Sequence, residues 1–337
     1  MGRVIYVSSV NGDDANSGYA PEKAFRSLRK VNQLEIQPGD QILLERGSVF
    51  IGEYLHLYAG GTKEAPVVVD AYGEGGLPRI ETDGNGIWYQ NYGGHLDNVV
   101  HTWKGYLSSA VLLYDAEYIS IRNLEITNNP CVKNERLNQA DRMNRTGVSV
   151  IAKNHGTLHE IELDHLYIHD VEGNIYDKHL NNGGIYMSVS RPDDEEKTGI
   201  ARYDGIHIHH CKVENCRRWG IAAGYTYQHD KFTTLELPDE VVKTYGSTNV
   251  VIEHNFVKDI GGDGITPMYC FEPLIQYNVS ENIAVDIHPD LYNEEGNRGG
   301  MTAAAIWPWK CKQRCSSTTK STTLSIIRMV SVGCRLR

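Results

Sequence analysis

Short runs of alternating apolar and polar residues recur along the chain, each broken by a kink and followed by a second run. From about residue 110 five such segments superpose: Ser120–Ile126, Glu162–Ile168, His207–Val213, Val251–Val257 and Leu274–Ser280. Aligned, they place Ile121, Leu163, Ile208, Ile252 and Ile275 in one column and Leu124, Leu166, Cys211, Asn255 and Asn278 in another. Successive segments lie 42, 45, 44 and 23 residues apart, so the shortest spacing reads as one bare coil and the others as coils with an inserted loop. A third short strand accompanies each segment: Ala110–Leu113, Gly147–Ile151, Gly184–Val189, Gly220–Gly224, Gly264–Tyr269 and Thr302–Trp307. Four of these begin at glycine, where a coil must turn sharply.

A period of two with a fixed long repeat predicts coils stacked in parallel, each hydrogen-bonded to the next and each adding to continuous inward ladders. Asn255 and Asn278 are expected to start an asparagine ladder at the bend. A sandwich of hairpins would need tight two-residue turns at regular spacing, which the sequence lacks. Before the repeat, Ile5–Val7 reads as a strand. A helix follows, with Phe25, Leu28, Val31 and Leu34 at helical spacing, and Ile42–Leu44 returns to strand after Pro38-Gly39-Asp40. A lone helix ahead of a long β region is expected to cover the first open coil.

The composition is rich in Gly (33) and Tyr (20) and poor in Phe (5), which suits many turns and a polar aromatic surface. All 43 acids lie at or before Glu295, whereas seven of the 33 basic residues follow Trp309. So acidic a body repels phosphate backbones, which excludes nucleic acid as a natural partner and suits a neutral glycan, or an anionic one reached through cations. The tail 310–337 holds nine Ser or Thr, no acid and no coil pattern. A reading-frame shift near Lys312, truncating the helix, is the preferred account of it.

Seven cysteines (Cys131, Cys211, Cys216, Cys270, Cys311, Cys315, Cys334) lack zinc spacing and read as free buried thiols. The opening Met1–Val7 has no apolar core of a signal peptide, and no run is long enough to cross a membrane. Localisation is therefore left open.

The opening Tyr6-Val-Ser-Ser-Val-Asn-Gly-Asp-Asp14, then Pro38-Gly-Asp-Gln-Ile-Leu-Leu44 and Arg46-Gly47, resembles the start of bacterial carbohydrate-active β-helix proteins of the pectate-lyase-like superfamily. The resemblance covers residues 4–309. It implies an all-β fold: a single-stranded right-handed parallel β-helix with an N-terminal capping helix. The expected layout is a helix over 1–309, with a cap region at 1–50 and regular coils at 110–309. Members include glycoside hydrolases and polysaccharide lyases, usually secreted or periplasmic, and they place their sites on one face walled by inserted loops. Here the insertions are 128–146, 190–203, 226–248 and 284–300.

Those loops and the last coils carry the candidate chemistry. Asp263, Asp286 and Glu295 are the candidate catalytic carboxylates. Tyr225, Tyr227, His229, Arg298, Trp307 and Trp309 are candidate contacts for a polysaccharide or oligosaccharide. Asp263 stands in Gly261-Gly-Asp-Gly-Ile265, where equivalent turns read Asn182-Gly-Gly-Ile185 and Arg218-Trp-Gly-Ile221, so the coil itself does not demand an acid. His207 and His209 share a strand face, yet no acid on a known neighbour completes a metal site, and a solvated face is preferred. The leading expectation is a monomeric hydrolase with paired carboxylates and no required cofactor. The alternatives are a lyase using Ca²⁺, a non-catalytic glycan-binding or adhesion solenoid, and an inactive fragment.

Overall fold

A computed structural model describes residues 2–97, 101–130, 143–175, 179–234, 236–287, 303–312 and 320–324. The chain winds into a right-handed parallel β-helix of three sheets, to which successive coils contribute one strand each. Sheet A runs from Val4–Val7 to Leu274–Gln276, sheet B from Val49–Ile51 to Lys320–Leu324, and sheet C from Leu55–Leu57 to Asp263–Pro267. The expected column is present residue for residue: Ile121 pairs with Leu163, Leu163 with Ile208, Ile208 with Ile252 and Ile252 with Ile275. It begins earlier than the sequence repeat suggested. Ile5, Ile42 and Val69 precede Ile121 in the same stack, so the region read as a cap already contains the first coil.

Two further ladders complete the core. Phe50, Ile80, Ile126, Ile168, Val213 and Val257 stack along sheet B. Leu55, Val111, Val148, Ile185, Ile221, Ile265 and Ile306 stack along sheet C. At the bend between sheets A and B, Asn255 Nδ2 donates to Asn278 Oδ1 at 3.0 Å, while Asn278 Nδ2 donates to the Ile252 carbonyl at 2.8 Å. The amides thus satisfy buried backbone groups that a kinked strand leaves open. The glycine column at the entry to sheet C is steric in origin. A Cβ at Gly184 or Gly220 would lie 2.4 or 2.6 Å from Cγ1 of Val213 or Val257 across the narrow interior.

The expected helix is Leu28–Asn32, with Leu28 and Val31 buried in the main core. Its end is tied to sheet C: Asn32 Nδ2 donates to the Tyr54 carbonyl, and Asn32 Oδ1 accepts from His56 N, both at 2.9 Å. In the tail, Lys320–Leu324 pairs in parallel with Val279–Ile283, so that part of 310–337 does follow the coils, contrary to the expectation of no coil pattern. Cys211, Cys216 and Cys270 are free and buried, and Cys311 is free and partly exposed. The remaining cysteines lie outside the described residues.

One insertion escaped the sequence reading. Residues Ile87–Asn91 form a strand antiparallel to Lys104–Tyr114, and the loop that they enclose folds over the outside of sheet C.

Replacing Ile252 by Asp is expected to abolish folding, because an unpaired charge in the ladder costs several kcal/mol; Ile252→Ala should lose about 2–5 kcal/mol in urea unfolding. A second expectation concerns pH. Burial pushes the His56 imidazole down to about 4, although its Nε2 donates to the Ser109 carbonyl. The unfolded chain takes up a proton near pH 6.5, so the native state keeps its full advantage above 6.5 and loses on the order of 3 kcal/mol as pH falls to about 4. Urea unfolding of the parent and of His56→Gln should differ in slope across that window; parallel curves would exclude this origin.

Candidate active site

Outward positions of sheet C do not face open solvent. Tyr186 and Ala222 on the sheet, and Tyr225 and Met268 near its end, are covered by Tyr92 and Leu96 from the 86–103 insertion and by Phe232, Leu237 and Val242 from the 226–248 insertion. The result is a second apolar cluster outside the coil, about which polar groups collect. Tyr225 stacks edge-on against Tyr92, Tyr269 and His179, with ring centroids 5.4, 5.5 and 4.6 Å apart.

Asp97 sits at the rim of this cluster, its side chain about one-third exposed. The Tyr225 hydroxyl donates to Asp97 Oδ1 at 3.2 Å. His101 Nδ1 lies 3.3 Å and His179 Nε2 3.7 Å from the same oxygen, and the two imidazoles stack 3.7 Å apart. Burial alone would raise the Asp97 carboxyl. The His101 hydrogen bond and the imidazoles of His179, His101 and His229 outweigh it and hold the group well below the usual carboxylate range. Burial pushes the Tyr225 and Tyr269 phenols upward, so both remain hydrogen-bond donors at neutral pH. The same three residues, Asp97, His101 and His179, have a donor set that suits a divalent cation.

The sequence-derived candidates divide. Tyr225 belongs to the cluster, and His229 lies at its edge with Nε2 3.1 Å from the His95 carbonyl. Trp307 and Trp309 stand 5.3 Å apart by ring centroids. Ile306 occupies the ladder opposite Ile265, so Trp307 falls on the outer face, and Trp309 packs against the outer cluster. Tyr227 is a correction: it is buried in the main core, its hydroxyl donates to Glu195 Oε2 at 2.7 Å, and Arg191 covers its ring. Glu295 and Arg298 lie outside the described residues.

Asp263 and Asp286 hold arginines. Asp263 has no solvent exposure; its Oδ2 lies 3.1 Å from Nη2 of Arg218, itself fully buried, and its Oδ1 accepts from Ala304 N at 3.0 Å. Asp286 receives Arg217 Nη1 on both oxygens at 2.9 Å. The two glycines before Asp263 make this possible, since a Cβ at Gly262 would lie 2.2 Å from Arg218 Nη1 and one at Gly261 2.4 Å from Asp286 Oδ2. Asp263, a candidate catalytic carboxylate, is therefore buried against Arg218 and does not face solvent. The coil does not require an acid there, but the buried guanidinium does.

The chain resembles known proteins over most of its length. It is 52% identical to the crystal structure of a GH136 lacto-N-biosidase from Eubacterium ramulus (selenomethionine derivative), with a TM-score of 0.87 over 92% of this chain and 50% of that one. The native form of that enzyme matches at 53% identity and the same TM-score. The chain shares the parallel β-helix fold of these proteins. A lacto-N-biosidase of Bifidobacterium longum subsp. longum is 40% identical to this β-helix protein over 92% of the chain and 22% of the longer protein. The β-helix protein thus spans about half the Eubacterium chain and less of the Bifidobacterium one. No protein-family model matches it.

Asp97, His101, Tyr92 and Trp103 were missed because the repeat was followed only from residue 110, and His179 because nothing in its local sequence marks it as a partner of that insertion. A signal was available: His95, Asp97, His101 and Trp103 fall within nine residues of an insertion that interrupts the coil pattern. Removing the Asp263 charge should be chiefly a stability defect. Asp263→Asn leaves Arg218 buried without its counter-ion and is expected to cost about 3–5 kcal/mol in urea unfolding. A change below about 1 kcal/mol would show that the pair is dispensable.

Proposed function

We propose that this β-helix protein is a glycoside hydrolase of the lacto-N-biosidase type, with its glycan site on the outside of sheet C around Asp97. The observation that carries the reading is a solvent-reaching carboxylate, held ionised, at the rim of a cluster of tyrosines and imidazoles that inserted loops fold onto the coil. The likeness to lacto-N-biosidases from two genera supports the reaction class. A carboxylate with a depressed pKa suits attack on, or charge stabilisation of, an oxocarbenium-like transition state; it is too acidic to donate the proton to the leaving group. The proton donor of the pair is assigned to Glu295 in the 284–300 insertion, because Asp263 and Asp286, the other two sequence-derived carboxylates, are engaged by Arg218 and Arg217. The substrate is an oligosaccharide carrying the unit for which the related enzymes are named. Tyr225 fixes the carboxylate through its hydroxyl, while Trp307 and Trp309 offer indole faces to sugar rings.

The test is hydrolysis of a lacto-N-biose-bearing oligosaccharide by the purified chain, read by chromatography beside calorimetric binding. Release is expected to fall roughly 10²–10⁴-fold in Asp97→Asn with the fold retained. Full activity in Asp97→Asn, or a folded parent chain that neither binds nor cleaves the glycan, overturns the proposal.

A further inference from the structure

Away from sheet C, the outer face of sheet A gathers histidines and acids. Register does this. Glu162 pairs with His207 and Asp164 with His209, so the acids that the sequence alone did not supply stand on the neighbouring strand. At the following bend, His165 and His210 occupy one turn position in successive coils, both with positive φ (49° and 52°). This left-handed turn projects the rings outward, where they stack 4.8 Å apart at 15°, close to the strand spacing of about 4.8 Å.

Four ligand-type atoms converge there. Asp164 Oδ1 lies 2.5 Å from His165 Nδ1, 3.0 Å from His209 Nδ1 and 3.6 Å from His210 Nδ1. His209 Nδ1 and His210 Nδ1 face each other at 2.8 Å. Four ligands held about 2.0–2.1 Å from a tetrahedral ion lie about 3.3–3.4 Å from one another, so small outward shifts of these rings would admit one. The other nitrogen of His209 is also provided for: Nε2 faces Glu162 Oε1 at 3.2 Å, and the Ser120 hydroxyl donates to Glu162 Oε2 at 2.6 Å. A carboxylate on Nε2 fixes the tautomer that leaves the Nδ1 lone pair for a metal.

We propose that Asp164, His165, His209 and His210 form a binding site for one divalent transition-metal ion of the zinc class, with Glu162 orienting His209. The site joins two adjacent coils through side chains on the opposite surface of the sheet from the core ladder. It is independent of the glycan reading, because none of its residues belongs to the cluster around Asp97.

Calorimetric titration of the metal-free full chain with ZnCl₂ tests it, using thermal unfolding to confirm that each variant is folded. His165→Asn/His210→Asn removes two ligands at exposed turn positions where Asn tolerates positive φ. His155→Asn alters another exposed histidine, one paired with Glu117. Expected is a micromolar or tighter equivalent of Zn²⁺ that the double variant weakens at least tenfold and that His155→Asn leaves intact. Three results would overturn the proposal: no such equivalent in the parent, equal binding by the double variant, or an equal loss in His155→Asn, which would mean diffuse surface histidine binding.

Discussion

Parallel pairing of each coil with the next is the constraint on which everything else depends. Once Ile121, Leu163, Ile208 and Ile252 are in register, every neighbouring residue is committed to the inside or the outside, because strand side chains alternate. The interior is narrow, with large aliphatic side chains on all three sheets and glycines at the entry to sheet C. Gly184 and Gly220 mark where a methyl group would collide with valines of sheet B. Slippage by one residue would drive Glu162, His207 and His209 into that space, so register is strongly enforced.

The same alternation gives two outer faces of different character. Over sheet C the 86–103 and 226–248 insertions exclude water, and the tyrosines beneath them become rigid, protonated donors. Asp97 gains its strength from that setting: imidazoles and a phenol approach it where solvent screens them only in part. Among the described residues, sheet A carries no such cover near its bend. Its outward column instead runs Asp70, Arg122, Asp164, His209, Glu253, with alternating sign over the first three positions. Charge on this open face is arranged by coil stacking, whereas over sheet C it is arranged by loops.

Asp263 shows how a sound sequence argument can reach the wrong role. Equivalent turns in earlier coils have no acid, so the residue looked free for chemistry. The reason for it lies 45 residues earlier in Arg218, whose guanidinium is fully buried over the Trp219 ring and needs a carboxylate. Gly261 and Gly262 leave room for Asp286 and Arg218 respectively, so the whole Gly-Gly-Asp-Gly run serves packing and charge compensation.

Sequence alone determined the fold, the core columns, the asparagine ladder and the short early helix, since each follows from local periodicity or from a repeat that must superpose on itself. Tyr225, His229 and the two indoles were legible as polar and aromatic groups outside the core of the late coils. The tertiary structure decided which groups meet. Asp97 reaches Tyr225 across 128 residues of sequence, and Asp164 reaches His209 across 45, through loop closure and coil register that carry no local signature. It also decided that Tyr227 faces the core and that Asp263 neutralises Arg218, because burial and a charge partner are properties of packed surroundings rather than of a residue's own neighbours in the chain.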